Sequence, residues 1–159
     1  MFPERADILL NDDTCLSIYF TPESGKVFWR WKIDTVFGVK HPGIYNGQES
    51  NGRHWFMHNH LENGSPCIVD IETFSKQQVL YAGPENSINP PLQTFAVGLQ
   101  QVLDCKPYEG LLYNCQSFVN RARNNNNISE AVQDTCRRNG RSQNYTGNSS
   151  GWSAAQWLL

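Results

Sequence analysis

Pro91-Leu-Gln-Thr-Phe-Ala-Val-Gly-Leu-Gln-Gln-Val-Leu103 is where the hydrophobic period of this 159-residue chain changes. Leu92, Phe95, Ala96, Leu99, Val102 and Leu103 recur three and four apart, the apolar stripe of an amphipathic helix, with proline at its start. Upstream of this stretch the period is two. Val27, Trp29, Trp31 and Ile33 alternate with Phe28, Arg30 and Lys32, and His54, Phe56, His58 and His60 alternate with Trp55, Met57 and Asn59. Downstream, Phe118, Val119 and Ala122 lie three, four and seven residues beyond Cys115, a second helical run, and a third short helix is expected after Ser129. Strands first and helices after predict an α+β domain in which helices pack on one face of an antiparallel sheet.

The strand half reads as a meander. Residues 14–20 and 27–33 form a predicted hairpin about the turn Thr21-Pro-Glu-Ser-Gly-Lys26. A strand is expected to be entered or resumed at Gly43 after His41-Pro42, followed by a polar, glycine-containing loop over 46–53. Further strands are expected over 53–60, 67–71 and 79–82, with one or two helical turns over 73–78. The domain is placed at 1–138. Residues 139–159 read as a flexible Gly/Asn/Ser-rich tail with an apolar end.

Thirteen basic against fifteen acidic side chains leave a net charge of -2, too little positive field for a nucleic-acid binder working by phosphate neutralisation. The five cysteines are odd in number and contain no CxxC pair, so neither a zinc ribbon nor a thioredoxin-type motif is available. No apolar run is long enough to cross a bilayer, and no signal peptide is read in the first residues, so an intracellular compartment is expected.

All four histidines fall between residues 41 and 60. Two chemistries follow. His54, His58 and His60 share one strand face and can bind a metal if a further ligand joins them. Alternatively, Cys115 in the first turn of a helix feels unpaired N–H groups and the positive end of the dipole, which favour the thiolate and can hold an oxyanion. Asn114 stands at the N-cap position. Such a thiol needs a base, and His41 or a strand histidine can supply it.

Two short segments resemble one known family. His41-Pro-Gly-Ile-Tyr-Asn-Gly47 is similar to the His box of the LRAT-like (lecithin:retinol acyltransferase-like) proteins. Asn114-Cys-Gln-Ser-Phe-Val119 is similar to their NC box, usually Asn-Cys-Glu-His-Phe-Val. Val69-Asp-Ile-Glu-Thr-Phe-Ser75 resembles the strand and helical turn between the boxes, so the resemblance spans about residues 35–123. It implies a circularly permuted papain-like fold of the NlpC/P60 group, with the nucleophile at a helix N-terminus. It also implies Cys115 as nucleophile, His41 as base, and a second histidine that accepts the ring N–H of the first. That role is placed on His58, with His60 as the fallback, and Asn114 and Gln116 are assigned to capping and the oxyanion.

The expected activity is a thiol hydrolase or acyltransferase that works through a Cys115 thioester, needs no cofactor or metal, and takes a lipid or peptide acyl donor. The apolar end of the tail suggests contact with a membrane surface. Gln116 and Ser117 depart from the usual Glu and His, which makes the animal lipid-enzyme subgroup a poorer fit. The alternatives are a bacterial amidase or peptidase effector, and a non-catalytic host-interaction protein of viral 2A type, which carries the same boxes.

Overall fold

The computed structural model describes residues 4–9, 14–32, 39–83 and 87–124. The helix expected after Ser129 and the tail over 139–159 lie outside the described residues. Seven strands, all paired antiparallel, form one sheet: β1 (Arg5–Leu9), β2 (Cys15–Tyr19), β3 (Val27–Trp31), β4 (Lys40–Gln48), β5 (His54–Asn59), β6 (Pro66–Asp70) and β7 (Tyr81–Ala82). The helices are α1 (Ile71–Ser75), α2 (Pro91–Asp104) and α3 (Cys115–Asn124). The architecture is thus α+β, an antiparallel sheet packed chiefly by α2 and α3, with Cys115 buried at the start of α3.

β4 is the hub. Ile44 pairs with Val27 on one side and Met57 on the other, and Gln48 likewise with Tyr19 and His54. β2 and β3 therefore share one edge of β4 while β5 holds the other. This corrects the expected hairpin: β2 and β3 follow each other in sequence but are not paired, because β4 lies against both. The turn between them is fastened to β4, with Gly25 N–H donating to Tyr45 O at 2.8 Å and Tyr45 N–H donating to Lys26 O at 2.9 Å. The strand expected from Gly43 begins earlier, at Lys40, and runs into the expected loop as far as Gln48. Pro42 is tolerated within it opposite Trp29. A register shift between Tyr45 and Gly47 marks a bulge there. β1, invisible as a periodic segment, pairs in full register with β2.

Each face of the sheet has its own core. On one, Ile18, Val27, Ile44 and Met57 pack with Phe95 and Leu99 of α2 and Phe118 and Ala122 of α3. Gly98 makes this approach feasible, since a Cβ there would sit 2.9 Å from both Ile44 Cδ1 and Met57 Cε. On the other face, Tyr45 and Phe56 pack with Phe74 of α1, whose ring stacks on Phe56 at 4.6 Å. Phe74 is fully buried although α1 has only five residues, and Asp70 caps that helix by accepting from Thr73 N–H at 2.9 Å. Burying such a ring contributes about 1.5–3 kcal/mol, enough to hold a helix too short to persist alone. No helix of the described residues is long and apolar enough to cross a membrane.

Candidate active site

Alternation along β4 and β5 places His41, Tyr45, Phe56 and His58 on the α1 face. His41 and His58 both contact Phe74, at ring-centroid distances of 5.8 and 5.6 Å. The two rings, 1% and 2% exposed, share a hydrogen bond of 2.9 Å between His41 Nε2 and His58 Nδ1. The imidazole facing His41 is therefore that of His58. The ring of His60 lies close by, 5.1 Å from His41, but its Nδ1 accepts from Glu62 N–H at 3.1 Å and caps the short 3-10 turn over Leu61–Asn63. His54 stands apart and shares a 2.6 Å hydrogen bond with the Tyr45 hydroxyl. With these ring nitrogens engaged separately, the three-histidine metal reading finds no common focus. Among the described residues no group of His, Cys, Asp and Glu is arranged to hold an ion.

Burial makes both rings of the pair weak bases. It is the main cause of lowering at His41, reinforced by His58, Arg30, His60 and Lys32, and the His41 pKa falls far below the ordinary imidazole value. Burial likewise takes His58 down to about 3, aided by His60 and Arg30 and opposed by the Asn63 side chain. Asn63 exerts that influence without reaching hydrogen-bond geometry, so His58 Nε2 is buried without a partner. Both rings are neutral at pH 7. His41 Nδ1 makes no hydrogen bond to the described residues, which leaves one ring nitrogen for a reacting group.

Cys115 enters from the opposite side of the sheet, as the first residue of a helix packed over β4 and β5. The segment ahead of it is held by a reciprocal cap. Asn114 Oδ1 accepts from the N–H groups of Gln116 (3.0 Å) and Ser117 (2.9 Å), while Ser117 Oγ accepts from Asn114 N–H at 2.6 Å. Ser117 thus has a structural reason to follow two residues after the cysteine. The N–H of Gln116 is committed to the cap, and its side chain is exposed.

The thiol is 4% exposed, and burial raises its pKa, against lowering by Lys32, by the backbone N–H groups of Gln116 and Cys115, and by Arg30. The helix terminus therefore does not by itself produce a thiolate here; desolvation outweighs it. Cys115 makes no hydrogen bond to His41 or His58, yet Arg30 and Lys32 act on both the thiol and His41. A cavity of about 360 Å³ opens elsewhere, between the 21–26 turn and the start of α2. Glu23, Lys26, Asn89 and Arg123 line it, and neither Cys115 nor His41 does.

Three residues of this region escape a reading by periodicity. Arg30 occupies the polar alternation of β3 but is fully buried, donating from Nε to Phe74 O at 2.7 Å. Its signal was an arginine flanked on both sides by tryptophan in a strand. Lys32, just beyond the end of β3, bears electrostatically on both Cys115 and His41. Asn59 is fully buried and donates from Nδ2 to both Tyr113 O and Asn114 O at 3.3 Å, joining β5 to the start of α3. Nothing in the sequence distinguishes Asn59 from the chain's many other asparagines. Neither a protein-family model, nor a curated protein, nor a solved structure matches this chain.

Proposed function

We propose that this protein is a cysteine-dependent acyl-transfer enzyme with a permuted papain-like, LRAT-like organisation, in which Cys115 is the nucleophile, His41 the base and His58 its partner. The observation that carries this reading is the buried 2.9 Å hydrogen bond from His41 to His58, which engages one nitrogen of His41 and leaves the other for a thiol proton. In the productive tautomer His41 donates its Nε2–H to His58 Nδ1, so His41 Nδ1 is an acceptor.

A neutral thiol paired with a neutral imidazole as its base calls for general-base activation rather than a standing ion pair. On substrate binding, Cys115 loses its proton to His41 Nδ1 as Sγ bonds to the carbonyl carbon of an ester or amide. The backbone N–H of Cys115 faces the developing oxyanion. Collapse of the tetrahedral adduct breaks the bond to the leaving alcohol or amine, which takes the proton from His41, and a thioester remains. Water or an acceptor alcohol or amine then gives its proton to His41 as it attacks the thioester. Collapse returns the thiolate, which recovers that proton. A lipid ester and a peptide amide both suit this sequence.

A binding protein without chemistry is the second reading, favoured by the raised thiol pKa and the absence of a Cys115–His41 hydrogen bond. Thiol labelling separates the two. An enzyme labels rapidly at Cys115 with iodoacetamide at neutral pH, loses that fast phase in Cys115→Ala and most of its rate in His41→Ala. Labelling of Cys115 no faster than the exposed Cys105 refutes catalysis. Intact mass after incubation with phosphatidylcholine vesicles or activated peptide esters then identifies the acyl donor as an adduct on Cys115.

A further inference from the structure

We infer that Asn59 is a positioning residue that sets the nucleophile's helix against the histidine pair; this rests on the catalytic reading above. Asn59 follows His58 on β5, and strand alternation turns the two side chains to opposite faces of the sheet. His58 meets His41 on one side. On the other, the carboxamide of Asn59 spans two consecutive carbonyls, Tyr113 O and Asn114 O, immediately ahead of Cys115. Two adjacent residues of one strand therefore fix the base's partner and the approach to the nucleophile.

The groups that Asn59 holds are themselves rigid. Tyr113 O also accepts from Glu109 N–H at 2.8 Å, and the Tyr113 hydroxyl donates to Gln101 of α2 at 2.7 Å. Asn114 O accepts the first intrahelical bond of α3, from Phe118 N–H at 3.0 Å. The carboxamide thus pins the N-terminal carbonyl of the helix rather than a pliant loop. Removing it releases the only side-chain hydrogen bonds from β5 to this segment among the described residues, while the sheet and the histidine pair keep their own contacts. Misplacement of a reacting group by about 1 Å costs on the order of 100-fold in rate.

The test compares wild type with Asn59→Ala, and with Asn59→Ser should the alanine variant not fold, by the pH–rate profile of iodoacetamide labelling at Cys115. Ring-nitrogen NMR signals of His41 and His58 are recorded on the same samples. The expected result is at least a tenfold slower labelling at neutral pH and a profile moved to higher pH, with the histidine signals unchanged. Rapid labelling in wild type with an unchanged rate and profile in the variant overturns the inference alone. Loss of the histidine signals together with the labelling also overturns it, since Asn59 would then support the fold generally. A wild-type Cys115 as slow as Cys105 overturns the catalytic reading and removes the role assigned to Asn59.

Discussion

Acidification should unfold this protein through two particular rings. His41 and His58 are 1% and 2% exposed, and burial holds both neutral, with His58 lowered to about 3 from an ordinary 6.5. The unfolded chain takes up protons at these positions below about pH 6.5 while the folded chain does not, so the unfolded state binds more protons and stability falls with pH. The stability in question is complete above about pH 6.5. For His58 it is lost progressively down to about pH 3, where the folded ring protonates too.

Each ring contributes a slope that grows to about 1.4 kcal/mol per pH unit once the pH is well below 6.5, hence about 2 kcal/mol between pH 6.5 and 4.5. Both together reach about 4 kcal/mol, a large share of the whole stability of many domains. Urea unfolding of wild type, His41→Gln and His58→Gln, followed by tryptophan fluorescence across that interval, isolates the effect, because other acidic groups cancel in the comparison. Each substitution should lessen the acid-induced loss by about 2 kcal/mol relative to wild type. A His58→Gln variant that loses as much stability on acidification as wild type would refute the argument that these rings are held neutral by burial.

Two further predictions concern the backbone around the site. Asn114→Ala removes the acceptor for two α3 N–H groups and should cost about 1 kcal/mol, with Asn114→Asp retaining most of the stability; equal urea midpoints for all three proteins would contradict the cap. Gly25→Ala combines a positive φ of 83° with a Cβ only 2.1 Å from Pro91 O. It should cost more than about 2 kcal/mol, far beyond an ordinary turn substitution. A thermal unfolding midpoint within a degree or two of wild type would show that the turn does not press on α2 as described.

Much of the fold was legible because its signals are local. The stripe of Leu92, Phe95 and Leu99 specifies a helix whatever it packs on, and the alternation of His54, Phe56 and His58 specifies which side chains share a strand face. β1 and the start of β4 were not legible. Residues 5–9 are too short to show a period, and Pro42 inside a strand is acceptable only because of where its neighbours lie. Strand order was hidden for the same reason: the 14–33 segment has the pattern of a hairpin, but the return partner of β2 is set by β4, a nonlocal choice.

For the site, sequence alone determined the cast: one cysteine at a helix start with an asparagine cap before it, and histidines confined to two adjoining segments. Only the tertiary structure decided their relations. It joined His41 to His58 rather than His60, because antiparallel register and the 3-10 turn after β5 send the two later rings to different partners. It also reversed the expected bias of the Cys115 thiol. A helix terminus is a local feature written in sequence, whereas the desolvation that outweighs it comes from every element packed around the sulfur.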